Sequence, residues 1–157
     1  MTDKLKNELW KAIDDRQEDL VKLCSELIAI PTENPPGKME KITSYICDYL
    51  SKRNISNEVL CPEENKPNII AKYGNNKGKK LLFNGHSDVV PVGDINKWDF
   101  DPFSGEVRDG KIFGRGTSDM KGGLAGILFV MGLLSEKGID LDGQLILTVV
   151  PDEEISG

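Results

Sequence analysis

The sequence predicts an α/β protein, a three-layer arrangement in which a mostly parallel sheet carries helices on both faces. Three features lead there. Apolar residues recur at helical spacing through the N-terminal third, short apolar runs bounded by turn residues follow, and "KKLLF", "SDMKGGLAGILFVMGLLSEKG" and "QLILTVV" succeed one another as strand, helix and strand. A strand–helix–strand unit of this kind crosses over right-handedly and makes its two strands parallel.

Taken in order, Leu5, Leu9, Ile13, Leu20, Leu23, Leu27 and Ile28 share one helical face until Pro31 stops the pattern, which predicts one long helix or two short ones over Asp3 to Ala29. "PTENPPGK" is a loop. A second helix is expected from Lys38 to Arg53, with Met39, Ile42, Ile46, Tyr49 and Leu50 inward. "NEVL", "NIIAKY" and "KKLLF" read as strands, and "EVRDGKIFG" as a hairpin turning at Asp109-Gly110. The apolar-faced helix that follows ends near Gly138, and "QLILTVV" is a fully buried strand.

At 157 residues the chain has the length of one domain. A net charge of -6, with no cluster of Lys and Arg interleaved with aromatics, argues against nucleic acid as a partner. The charged start "MTDKLKNELW" lacks the apolar segment of a signal peptide, and Leu124 to Leu134 is too short to span a bilayer, which takes roughly 20 residues. No membrane association and a cytoplasmic location are therefore expected. Cys24, Cys47 and Cys61 are odd in number and widely spaced, which predicts reduced thiols rather than a disulfide framework or a thiolate metal site.

In open α/β sheets, ligands bind beyond the carboxyl ends of the strands. His86, the only histidine, and Asp88 follow "LLFNG"; Asp119 lies where the hairpin passes into the long helix; Glu153 and Glu154 follow "LILTVVP". Singly, each has a structural reading. A lone histidine is commonly a hydrogen-bonded core residue, Asp119 would favour the positive end of a helix capped by Thr117 or Ser118, and "DEE" would be a solvated turn. Convergence changes this, because carboxylates gathered at one sheet edge repel one another unless a cation neutralises them.

One imidazole with carboxylates and no thiolate suits zinc, cobalt or manganese. Asp88 is placed to accept the proton on the second imidazole nitrogen, and Glu153 and Glu154 diverge in an extended segment, one free to bind metal and the other to move a proton. Two phosphate-site patterns fail. "GRGTSD" has Asp119 where a third glycine is required, and "GNNKGKK" is one residue short with Lys80 in place of a hydroxyl.

"GHSDVVPVGD", "WDFDPF", "DGKIFGRGTSDMKGG" and "PDEE", in this order and spacing, resemble the zinc-dependent amidohydrolases of metallopeptidase family twenty, which include acetylornithine deacetylase, succinyl-diaminopimelate desuccinylase, aminoacylase, carboxypeptidases and dipeptidases. "PTENPPG" is similar to the deacetylase and desuccinylase branch. The resemblance implies a zinc-peptidase-like fold and two divalent ions, zinc or alternatively cobalt, with His86 on one, Glu154 on the other and Asp119 bridging both. It makes Asp88 the partner of His86 and Glu153 the general base that takes a proton from the attacking water and passes it to the departing amine. It also implies a cis peptide after Asp119, and a scaffold role for Trp98, Pro102, Phe103, Arg115, Lys121, Gly122 and Gly123.

The expected substrate is an N-acyl amino acid or short peptide. Residues 1–157 are expected to be the truncated N-terminal portion of a catalytic domain, its lid and dimerisation domain and remaining metal ligands lying elsewhere in a longer, homodimeric protein. "QLILTVV" would then sit near a bare sheet edge, and the isolated chain would hydrolyse little. A non-catalytic complementing or binding module is the alternative.

Overall fold

A computed structural model describes residues 2–155. The N-terminal helical region divides into α1 (Asp3–Asp14) and α2 (Gln17–Ile28). Thr2 caps α1 by accepting the Leu5 N–H at 3.3 Å, and the chain turns at Arg16, whose φ of -124° is not helical. α1 buries only Ala12, whereas α2 buries Leu23, Cys24, Leu27 and Ile28, so α2 is the helix that belongs to the core. α3 (Glu40–Ser51) buries Ile42, Ile46 and Leu50, the expected i, i+4, i+8 stripe.

The sheet contains β1 (Ser56–Leu60), β2 (Asn68–Gly74), β3 (Lys79–His86) and β6 (Gly143–Val150); β4 (Val107–Arg108) and β5 (Lys111–Ile112) form a separate hairpin. That hairpin turns where expected, with φ positive at both Asp109 (52°) and Gly110 (71°). Between β3 and β6 runs α4 (Gly122–Glu136), with eight buried residues. Thr117–Glu136 is the one helical stretch among the described residues long and apolar enough to cross a membrane. Its apolarity has a local cause, since α4 packs on α2 and β3 and contributes Leu124, Leu128 and Phe129 to the core.

The α/β class and the parallel strand–helix–strand unit β3–α4–β6 are as expected. Two details differ and one is narrowed. The strand order is β1-β2-β6-β3, and only β3 and β6 are parallel, β2 running antiparallel to both β1 and β6, so the described sheet is mixed rather than mostly parallel. The returns from β1 to β2 and from β2 to β3 are both too short for a crossover, so β2 runs opposite to β1 and β3, and therefore to β6, which is parallel to β3. Second, β6 lies near an edge but not at one; the edge strands are β1 and β3, and on β3 Leu81 is 52% and Leu82 57% exposed. Third, helices on both faces are not found among the described residues. The buried strand residues Ile69, Ala71, Leu147 and Val149 all face one way, into the core formed with the helices, while Ile70, Ile146 and Thr148 on the opposite face stay partly exposed.

The register places the site. His86, the last residue of β3, pairs with Val150, the last residue of β6, so the segments that leave both strands emerge side by side at one end of the sheet.

Candidate metal centre at the ends of β3 and β6

His86 is 5% exposed, with its two ring nitrogens held differently. Nδ1 lies 3.0 Å from the Asp88 main-chain oxygen and 3.4 Å from Asp88 Oδ1. Nε2 lies 3.0 Å from Asp119 Oδ1 and 3.8 Å from Glu153 Oε2. Every neighbour of the ring nitrogens named here is an acceptor, and a neutral imidazole can donate from only one nitrogen. Burial alone would lower the His86 pKa, but the hydrogen bond to Asp119, the Asp88 carbonyl and the Asp88 and Glu153 charges outweigh it and raise the value above the usual 6.5.

Asp88 is fully buried, and its closest approach to the imidazole differs from the expectation. Its main-chain oxygen lies nearer Nδ1 than its carboxylate does, and the carboxylate also accepts the N–H of Glu153 on Oδ1 at 3.2 Å, and on Oδ2 the N–H of Glu154 at 3.0 Å and the Asn34 amide at 3.1 Å. These bonds explain a second difference. Glu153–Ile155 is a tight 3-10 turn, not an extended segment, because one buried anion gathers consecutive backbone donors. Glu153 and Glu154 therefore do not diverge, and His86, Glu153 and Glu154 each offer a ligand atom within 4.8 Å of the others. Burial, then the charge of Asp119, raises the Glu154 pKa above its usual 4.5, although the His86 charge acts the other way.

Asp119 comes from an irregular turn, Thr117–Lys121, in which Asp119 (φ -130°) and Met120 (φ -127°) leave helical geometry and the Asp119–Met120 peptide is cis, as expected. The helix-cap reading of this region does not hold. Thr117 donates its hydroxyl to the Gly114 carbonyl at 2.8 Å, and Lys121 precedes α4 with no side-chain cap. Met120 turns back so that its Sδ accepts the His86 N–H at 3.2 Å, tying the turn to the end of β3.

The flanking residues are structural in their contacts. The Arg115 guanidinium lies 5.1 Å from the Trp98 ring centre, and Trp98 Nε1 donates to the Val92 carbonyl at 3.0 Å. Lys121 is fully buried, donates to the Ile30 carbonyl at 2.6 Å, and has its pKa pushed down to about 8 by burial. Gly74 opens the turn between β2 and β3, so "GNNKGKK" is a turn. All three cysteines are free. Asn34, Lys66 and Asp152, which sequence reasoning did not select, border the site; nothing local in the sequence marks them, because each is recruited by a contact across the fold.

The donor set fits a divalent cation. Nε2 of His86 and Oδ1 of Asp119 are 3.0 Å apart, and two ligands about 2.1 Å from one ion at roughly tetrahedral to right angles would be about 3.0–3.4 Å apart.

Fold and donor set together define an α/β protein with an imidazole–carboxylate cluster at the ends of adjacent parallel strands. Residues 82–157 match the family model described as Peptidase family M20/M25/M40, the family that the sequence motifs resemble. The chain is 36% identical over 151 residues to the N-formyl-4-amino-5-aminomethyl-2-methylpyrimidine deformylase of Bacillus subtilis, covering 94% of this chain and 35% of that protein. It is 40% identical over 143 residues to the succinyl-diaminopimelate desuccinylase of Blochmanniella floridana, covering 88% and 36%. An M20 family metallo-carboxypeptidase from Sulfolobus solfataricus superposes with a TM-score of 0.77 at 27% identity, over 87% of this chain and 31% of that one. The chain thus spans about a third of the length of the curated relatives it matches, 35% and 36% for the two named.

Proposed function

We propose that this chain supplies part of the catalytic centre of a metal-dependent amide hydrolase, acting on N-acyl amino acids or short peptides through two divalent cations, zinc or cobalt. The observation that carries the proposal is the meeting of the His86, Glu153 and Glu154 ligand atoms within 4.8 Å, with Asp119 hydrogen-bonded to the same imidazole. Carboxylates from two loops facing one imidazole repel one another, and a bound cation would relieve that repulsion. A deformylase, a desuccinylase and a metallo-carboxypeptidase among the relatives support amide hydrolysis.

In this reading His86, Asp119 and Glu154 hold the ions, with further ligands contributed from outside residues 1–157. Bound divalent ions supply Lewis acidity, polarising the substrate carbonyl and lowering the pKa of water. The residues of this chain do the rest. The Asp88 carbonyl, 3.0 Å from Nδ1, would hold a proton there and leave the Nε2 lone pair to an ion that replaces the Asp119 hydrogen bond. Glu153, its side chain 58% exposed, reaches into the open side of the cluster, where its carboxylate takes a proton from water and delivers it to the departing nitrogen.

The test uses the complete gene product that carries these residues. After chelation it is assayed with zinc or cobalt against N-formyl, N-acetyl and N-succinyl amino acids and dipeptides. Metal-dependent release of free amine is expected. A protein that binds neither ion and hydrolyses none of the panel refutes the proposal.

A further inference from the structure

Asn34 sits in the "PTENPPG" loop, 4% exposed, between two carboxylates. Its Nδ2 donates to Asp152 Oδ1 at 2.7 Å and to Asp88 Oδ2 at 3.1 Å, and lies 3.4 Å from the Pro151 carbonyl. Three acceptors around one nitrogen fix which way the amide faces. Its backbone is held as well. The Asn34 N–H donates to the Val89 carbonyl at 2.9 Å, the Val89 N–H donates to the Thr32 carbonyl at 3.0 Å, and the Thr32 hydroxyl donates to the Ser87 carbonyl at 2.7 Å. The loop therefore runs as a short ribbon beside the segment that follows His86. Gly37, at φ +70°, leaves space for the amide, since a Cβ there would lie 3.0 Å from Asn34 Oδ1.

These contacts add a side-chain bridge between two segments already tied by the Ser87 N–H to the Val150 carbonyl and by the Asp88 carboxylate. Asp88 belongs to the segment that leaves β3 with His86; Asp152 belongs to the segment that leaves β6 with Glu153 and Glu154. Two carboxylates placed close together repel, and a neutral donor between them turns that repulsion into two charge-assisted hydrogen bonds. The outer carboxylate is neutralised in turn by Lys66, whose Nζ lies 2.6 Å from Asp152 Oδ2. The chain of contacts runs Lys66, Asp152, Asn34, Asp88, and from Asp88 to His86 and to the N–H groups of both glutamates.

We propose that Asn34 is a positioning residue for the cation centre, setting the spacing of His86 against Glu153 and Glu154, with the Lys66–Asp152 pair holding its amide in the donating orientation. This rests on the metal-site reading above. Asn34 touches neither substrate nor metal; it acts through Asp88 and Asp152.

Zinc affinity of the complete gene product, by competition with a chromophoric chelator, and the visible absorption spectrum of bound cobalt test it without reference to turnover. Loss of such a supporting contact weakens metal binding by about 10–100-fold, so Asn34→Leu is expected to bind zinc that much more weakly and to shift the cobalt spectrum while its far-UV circular dichroism is unchanged. Lys66→Met, at a side chain one-third exposed, is expected to weaken zinc by about 10-fold. A wild-type protein that binds neither ion overturns the metal-site reading and this inference with it. A wild-type protein that binds, beside a folded Asn34→Leu with the same affinity and cobalt spectrum, overturns the positioning role alone. Should Asn34→Leu not fold, Lys66→Met decides: weakened binding supports the role, and unchanged binding overturns it.

Discussion

Asp88→Ala is the most informative single substitution for the way this site is built. The Asp88 carboxylate is fully buried and accepts from Asn34 Nδ2, Glu153 N and Glu154 N at 3.1, 3.2 and 3.0 Å. A hydrogen bond to a charged group contributes about 1.5–3 kcal/mol, and a buried donor left without a partner costs about 1–3 kcal/mol. The buried Asn34 amide keeps its bond to Asp152 and loses the one to Asp88, about 1–3 kcal/mol. The two glutamate N–H groups are part-buried and can turn to water, so each is assigned the low end, about 1 kcal/mol. The sum is about 3–5 kcal/mol in the metal-free protein, out of a total stability of about 5–15 kcal/mol. For a chain of this size each kcal/mol moves the melting temperature by about 2–4 °C, so a fall of roughly 6–20 °C is expected. Chelated samples followed by tryptophan fluorescence measure it, Trp98 lying in the segment that follows the site. Asp88→Asn, which keeps one acceptor oxygen, should fall about half as far. A melting temperature of Asp88→Ala within about 2 °C of wild type would show that the turn at Glu153 does not depend on this carboxylate.

In the complete gene product, Glu153→Gln is expected to lower kcat by about 10²–10⁴-fold while zinc affinity stays near wild type, measured by steady-state kinetics and metal competition; equal losses in both would place Glu153 among the ligands instead. His86 has a raised folded pKa, so its contribution to metal-free stability is fully present below its ordinary value of 6.5 and is lost as pH rises through the higher folded value. Glu154 acts in the same direction from its ordinary 4.5 upward. The stability advantage of wild type over His86→Asn should therefore shrink as pH climbs from about 5 to 8 in chelator, and melting curves in which it grows would contradict this. Leu128→Ala, at a fully buried position on α4, should cost about 2–5 kcal/mol by urea denaturation; a smaller loss would mean that the α4 packing described here is wrong.

Much of the fold was legible because its signals are local. The i, i+4 stripes of Ile42, Ile46 and Leu50, the Asp109-Gly110 turn and the uniformly apolar α4 each follow from a few neighbouring residues. Strand order was not, because it depends on which partners bury each face. "QLILTVV" looks the same in a central or an edge strand, and only the pairing of β2 and β3 on either side of β6 decides it. The candidate ligands His86, Asp119 and Glu154 stand out by their places at element ends; Asp119 Oδ1 lies 3.0 Å from His86 Nε2, and His86 and Glu154 share a cluster with Glu153. The tight turn at Glu153 could not be read, because an acidic pair carries no mark that a buried carboxylate 65 residues earlier will collect its N–H groups. Asn34 was equally hidden, since its partners lie 54 and 118 residues away.

The candidate ligands are held with unequal firmness, and that inequality has a physical origin. His86 ends a strand paired in register to Val150, and the glutamate turn hangs from buried Asp88, so these groups are fixed by backbone hydrogen bonds. Asp119 has a side chain 76% exposed on an irregular turn, tied to β3 through the soft contact between the Met120 sulfur and the His86 N–H. Mutually repelling carboxylates cannot all be locked in place before a cation arrives without a cost in stability. A rigid half built on His86 and Asp88 with an exposed Asp119 facing it lowers that cost, because water screens the free carboxylate until an ion draws it in. Precision then depends on the buried half, where Asn34 and Asp88 meet, more than on the visible carboxylates at the rim.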